Sequence, residues 1–295
     1  MQAFLEHHQH VRGYLLEGLR ASLWLVLLTA VFVPLEWLFA VRPKKILRGS
    51  VLRDIGFYFI SNFLPPFVLM LPLAAAAYVA YTFVPASWHE TVESWPFWVR
   101  GLAAFVVADF GFYWGHRWAH ELPFMWRFHA LHHAPEHVYF LISARAHPID
   151  NAFIRVCGLV PIYILGLGAP QSVQGTLVAT LLMLAVTFWG FFIHANVRWR
   201  LGPLEWLLAT PAFHLWHHTA TEPQNRNFAS MLPVWDRLFG THYLPRGQWP
   251  AAYGINEPIP QTIVGQLLHP FLPPIKPRPE PQGEPAPQPS GPIAG

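Results

Sequence analysis

Long apolar runs separated by short polar stretches fill the first two thirds of the chain. Residues 15–40 are apolar except for a few positions, among them Glu17, Arg20 and Glu36. A helix that crosses a bilayer needs about 20 mostly apolar residues. Residues 21–39 meet that requirement if Glu36 lies at the interface. Residues 55–84 form a second run, which Pro65, Pro66 and Pro72 break or kink. Residues 97–115 form a third, with Trp88, Trp95 and Trp98 clustered near its start as interfacial aromatics are. Residues 153–167 and 172–193 read as a helical hairpin divided by Gly166, Gly168 and Pro170.

Charge bias orients these runs. Arg42, Lys44, Lys45, Arg48 and Arg53 make the densest basic stretch, whereas the 85–96 loop holds Glu90 and Glu93 and no Lys or Arg. Basic loops favour the cytoplasm, so the third run returns inward and ends at His116. The hairpin then leaves and re-enters the same face, which puts His194 at the cytoplasmic boundary and everything from Ala195 onward inside. The expected fold is all-α and integral to the membrane, with about four transmembrane helices and a cytoplasmic histidine-rich cap. Residues 1–14 read as a polar N-terminus and 15–271 as one membrane domain. Residues 272–295 read as a Pro-rich tail that cannot bury enough apolar surface to fold. The first 13 residues carry His7, His8 and His10 but no signal-peptide pattern.

Composition agrees with a chain solvated partly by lipid: 53% of its 295 residues are hydrophobic and 12% charged, against about a quarter charged in soluble domains. The net charge of +3 is dispersed and predicts no nucleic-acid partner. A single cysteine, Cys157, rules out an internal disulfide and reads as a small buried apolar residue.

Histidine is out of proportion: 17 residues against 19 Lys and Arg together. His116 and His120 are four apart and leave one helix face. His129, His132 and His133 repeat that logic at i, i+3 and i+4, and so do His214, His217 and His218; His194 ends an apolar run. Nine imidazoles converging on one face would repel one another if protonated and would need hydrogen-bond partners if neutral. Metal ions resolve both problems, because neutral imidazole is a common ligand for Zn, Cu, Fe and Ni. Nine ligands exceed what one ion takes, so two ions fit. The metalloprotease pattern His-Glu-x-x-His and the Glu-x-x-His of soluble carboxylate-bridged di-iron bundles are both absent. No phosphate loop and no Gly-x-Ser-x-Gly elbow appear.

Over roughly residues 104–243 the chain resembles the fatty acid hydroxylase/sterol desaturase superfamily of membrane di-iron proteins. The resemblance rests on His116-Arg-Trp-Ala-His120, Trp126-Arg-Phe-His129-Ala-Leu-His132-His133, Arg145-Ala-His147-Pro148 and His194-Ala-Asn196. It extends through Thr210-Pro-Ala-Phe-His214-Leu-Trp-His217-His218 to Trp235-Asp236-Arg-Leu-Phe-Gly-Thr241. It implies metal ligation by His116, His120, His129, His132, His133, His194, His214, His217 and His218. It also implies two iron ions (or zinc in their place), O2 as co-substrate, and hydroxylation of a lipid C–H bond. Desaturation on the same metals is the alternative. Electrons would come from a ferredoxin, a cytochrome b5 or a reductase, since no flavin, haem or iron–sulfur motif is present. A non-catalytic metal-binding membrane protein is the reading from another class. Some members have a further histidine where this chain has Gly190.

Several other residues are candidates. His147 is a tenth ligand or a helix cap, and His137 a further ligand or a loop histidine. Asp109, about two turns below the first box, orients a ligand imidazole or bonds two helices. Asp236 and Asn227 are candidates for supporting the ligands. His89 and His269 are expected to be bystanders, and Phe188, Trp189, Phe191 and Phe192 to wall a lipid-accessible site.

Overall fold

The computed structural model describes residues 9–43, 50–168 and 173–273. His7, His8, Lys44, Lys45, Arg48, Pro170 and the Pro-rich tail from residue 274 lie outside the described residues. Among the described residues the chain is helical, with no strand and one isolated bridge between Thr219 and Tyr253.

Helix α1 (Gln9–Phe39) buries only a thin stripe, Ala21, Leu28, Phe32 and Glu36. Its other apolar side chains, including Leu19, Leu23, Val26 and Trp37, face outward. A water-soluble protein rarely exposes apolar surface on this scale, so the outward face is built for lipid. The next run divides at its prolines: α2 (Val51–Phe63) stops at Leu64, and α3 (Pro65–Phe83) starts with Pro65, whose missing N–H costs nothing at a first helical position. After the short α4 (Ala86–Ser94) come α5 (Phe97–Glu121), α6 (Pro123–His133), α7 (Pro148–Ile164) and α8 (Val173–His194). Three short helices complete the chain: α9 (Pro211–His217), α10 (Val234–Leu238) and α11 (Ile263–Leu268).

Three of these stretches are long and apolar enough to cross a membrane: residues 12–39, 51–83 and 175–194. The run at 97–115, read from the sequence as a span, is not one of them. It became the front of α5, which carries buried Arg100 and Asp109 and both histidines of the first box. The 153–167 run lies within α7, which at 17 residues is too short to count by the same measure.

Among the described residues helices α5 and α7 make the most extensive helix pairing, and glycine lets them approach closely. A Cβ on Gly111 would lie 2.1 Å from the Cys157 carbonyl oxygen, one on Gly115 2.9 Å from the Cys157 Cβ, and one on Gly158 2.3 Å from the Phe112 ring. Cys157 is therefore a packing residue at the crossing. Phe112, Leu159 and Ile162 fill the core beside it. This contact sets the first histidine box on α5 against the start of α7.

A Gly111→Ala exchange is expected to lower the melting temperature of the detergent-solubilised protein, costing about 1–3 kcal/mol through overpacking. Gly101→Ala in the same helix meets open space. Alanine's better helix propensity should leave that variant unchanged or slightly more stable. Equal melting of the two variants would contradict the glycine crossing.

Candidate metal centre

The histidine-bearing segments are placed by local rules that recur. Helices α6, α7 and α9 all begin with a proline at their first position, preceded by Leu122, His147 and Thr210 in extended conformation. Proline is preorganised for that position. The Thr210 hydroxyl accepts from the Phe213 N–H, and the His147 ring from the Ile149 N–H, as N-caps do. His147 also donates Nε2–H to the Leu267 carbonyl at 3.1 Å. Both its nitrogens are thus used by backbone, and it caps rather than joins the cluster. His137 lies outside the cluster too, on the wall of a separate cavity.

The remaining nine candidates converge, in two groups. His116, His120, His129, His133 and His217 form one, and His132, His194, His214 and His218 the other; within each group one ring nitrogen per residue lies within 4.8 Å of all the others. Each three-histidine box is divided between the groups. In the second box positions i and i+4 join the first group and i+3 the second, and in the third box this is reversed. Nε2–Nε2 separations are 3.2 Å for His129–His133, 3.1 Å for His132–His194 and 3.0 Å for His194–His214. Two imidazoles bound at about 2.1 Å to one ion have their nitrogens about 3.0–3.4 Å apart. The spacing fits a metal.

The opposite ring nitrogens decide which atoms are free to ligate. Nδ1 of His116 donates to the Phe228 carbonyl at 2.7 Å, His132 to Arg145 at 3.2 Å, His194 to Gly190 at 2.6 Å and His217 to Arg226 at 2.8 Å. A carbonyl oxygen only accepts, so in these four rings the proton sits on Nδ1 and the lone pair on Nε2. His129 Nδ1 lies 3.0 Å from the Asp150 carboxylate and His120 Nδ1 3.1 Å from the Asn225 side-chain oxygen. A carboxylate or carbonyl behind a ligand imidazole fixes its tautomer and raises its basicity. Meanwhile Nε2 of His120 and of His217 and both nitrogens of His218 are buried with no hydrogen-bond partner. Burial first, then the neighbouring imidazoles, pushes His129, His132, His133, His214, His217 and His218 well below the ordinary histidine pKa. Neutral, deprotonated nitrogens pointing at a common centre are what a metal ion requires.

Supporting groups act at one remove. Segment 225–228 supplies three of the acceptors: the Asn225 side chain and the Arg226 and Phe228 carbonyls. Asn227, at φ 61°, pins that segment by donating to the Phe213 and Tyr243 carbonyls and accepting from the Tyr243 N–H. Asp236 holds it through the Phe228 and Ala229 N–H groups and the Thr241 hydroxyl. Asp109 reaches no histidine; it accepts from the Leu232 N–H and the Trp235 indole and so ties α5 to the loop before α10. On the second group, the Arg145 guanidinium is locked to buried Asp54 at 2.8 Å, and Asp54 also accepts from the Tyr139 hydroxyl. Glu36 accepts from the N–H groups of Phe140 and Asn196, joining α1 to the loop that follows His194. Of the α8 aromatics, Phe191 is buried against Tyr58 and Phe140 and the Trp189 indole donates to the Ala209 carbonyl, whereas Phe188 is exposed.

Asp150, Asn225, Asp54 and Glu36 in its present role escaped the sequence reading. Asp150 sits in the first turn of α7, where an acid is expected for the helix dipole alone. Its fixed distance from His147-Pro148 was the available signal.

Similarity to known proteins centres on the same region. The fatty acid hydroxylase family model matches residues 101–241. An ornithine lipid hydroxylase of Rhizobium tropici is 36% identical over 202 residues, covering 68% of this chain and 58% of that protein. The alkylglycerol monooxygenase of Danio rerio is 32% identical over 66% of this chain and 41% of its own length. A methylsterol monooxygenase of Arabidopsis thaliana is 27% identical over 66% of this chain and 69% of its own. The chain spans about half the length of the first of these curated relatives. No solved structure matches it.

Two outcomes follow. Asp150→Asn should weaken metal binding by about 10–100-fold in a chelator competition while the protein still folds; unchanged affinity would detach Asp150 from the centre. The metal-stripped protein should lose stability as pH falls below about 6.5, because the unfolded chain takes up protons there and the buried imidazoles do not. The contribution is fully present above that pH. A melting temperature flat between pH 8 and 5 would contradict neutral burial.

Proposed function

This chain belongs to the fatty acid hydroxylase/sterol desaturase superfamily, and from that premise we propose that it is an O2-dependent di-iron oxygenase hydroxylating a C–H bond of a membrane lipid. The observation that carries the proposal is the division of nine histidines, eight of them buried, into a group of five and a group of four. When bound, two iron ions would supply the redox chemistry that reduces O2. The residues that would hold them are His116, His120, His129, His133 and His217 for one ion, and His132, His194, His214 and His218 for the other. No cysteine or carboxylate is present in either group. An all-imidazole set suits Zn, Cu, Fe or Ni; of iron and zinc, only iron is redox-active, and the family resemblance favours iron.

The chain's own contribution is positional. Carbonyls behind the rings hold each imidazole in one tautomer. The closely packed α5–α7 crossing keeps the site rigid, and its buried walls keep water from it. Insertion of one oxygen atom into C–H consumes O2, two electrons and two protons and releases water. The electrons must come from a partner, for which a ferredoxin, a cytochrome b5 or a reductase has suitable chemistry. Relatives named for ornithine lipid, alkylglycerol and methylsterol substrates support a lipid with a polar head. We further propose one membrane domain over residues 15–271 with about four transmembrane helices, the three apolar spans among them. The basic loop at 42–53 favours a cytoplasmic face for the histidines.

Lipid mass spectrometry under 18O2 tests the reaction. A host expressing the intact protein should accumulate a lipid carrying one labelled oxygen, absent when His132 and His133 are replaced by alanine. A lipid that loses two hydrogens without label would show desaturation instead, and no lipid change with both metals bound and a donor supplied would overturn the oxygenase reading.

A further inference from the structure

Beside the second histidine group lies a cavity of about 630 Å³ that the metal chemistry does not use. Its walls are the first turn of α2, the 134–137 loop that follows the second histidine box, Arg145, and the C-terminal segment up to Gln266. The lining is polar and of both signs: Arg53 and Arg145 against Asp54, Glu136 and Glu257. Arg145 and Asp54 neutralise each other at 2.8 Å, and among the described lining residues Arg53, whose NH1 donates to Gln261, carries no carboxylate partner and shares the wall with Glu136 and Glu257. Three lining residues carry a buried polar atom with no protein partner: Arg53 Nε, Arg145 Nε and Gln266 Oε1. Arg145 and Gln266 are 4% and 1% exposed. Buried polar groups are normally paired, so two unused donors and one unused acceptor around one cavity mark a place where a ligand supplies the partners.

Position narrows the ligand. The cavity opens at the start of the 51–83 run that is apolar enough to cross a membrane, where Leu52 is 79% exposed. It shares Arg145 with the centre, since the carbonyl of that residue accepts from His132. A polar head held here sits at the level of the bilayer surface with its chains beside the histidines. We propose that this cavity receives the headgroup of the lipid substrate, and that the headgroup is zwitterionic. Its anionic oxygens lie toward Arg53 and Arg145, and its ammonium toward Gln266, Glu136 and Glu257. A neutral head leaves the guanidinium donors unpaired. A head with negative charge alone leaves Glu136 unmatched, and Glu257 with only the His269 ring at 3.6 Å. The inference rests on the lipid-hydroxylase reading for its substrate and on the cavity for its chemistry.

Binding to the metal-loaded full chain in detergent separates the two. N-octanoyl-ornithine carries both charges, its methyl ester only the ammonium, and N-octanoyl-norvaline only the carboxylate. The first should bind at least about tenfold more tightly than either other, since a charge-assisted hydrogen bond is worth roughly that factor. Arg53→Gln should remove the advantage over the methyl ester, and Glu136→Gln with Glu257→Gln the advantage over the norvaline probe, with metal content unchanged in both. Equal binding of the three probes, or variants that bind like wild type, would overturn the proposal. So would free ornithine binding as tightly as its acyl derivative, because the site would then serve an amino acid rather than a lipid. Charge-selective binding with no labelled product from the matching two-chain lipid under 18O2 would count against hydroxylation and uphold the headgroup site.

Discussion

Nine imidazoles can share a dry interior only when the proton and the lone pair of each ring have somewhere to go. The protein meets half of that demand itself. Four backbone carbonyls, one carboxylate and one amide oxygen accept from Nδ1 of six rings. The other half, the inward lone pairs, has no protein partner at several positions. Burying them unpaired is costly, and bound metal would remove the cost. Ligand choice, tautomer and depressed basicity all follow from this one constraint.

The fold is arranged around holding those acceptors still. Glycines at the α5–α7 crossing bring Asp150 to His129. Asn227 and Asp236 pin the 225–228 segment that serves His116, His120 and His217. The buried Asp54–Arg145 pair steadies the carbonyl behind His132, and Glu36 ties the first helix to the loop after His194. A buried ion pair is weak evidence of net stability, so the value of Asp54–Arg145 lies in fixing the position of the arginine backbone.

Helical spacing made the nine histidines legible, because i, i+3 and i+4 lie on one face whatever the tertiary structure. It could not say which ion each would serve. The crossed division of the two His-x-x-His-His boxes depends on how α6 and α9 face each other across the centre. Asp109, about two turns before His116, could by spacing either orient a ligand imidazole or bond a neighbouring segment, and its carboxylate accepts from Leu232 and Trp235. His147 resolved as a cap because His-Pro starts a helix. Hydropathy found α1, the broken α2–α3 run and α8 as apolar spans; α5, with buried Arg100, Asp109 and two histidines, does not reach the same apolar length. The Gly190 carbonyl accepts from His194 Nδ1, and the second group stands at four histidines without a side chain there.

The most direct test of the two-group account is metal stoichiometry with X-ray absorption on the purified, iron-loaded chain. The account predicts two irons per chain, each with a nitrogen shell of four to five imidazoles and no sulfur. One iron per chain, or a shell dominated by carboxylate oxygen, would contradict it.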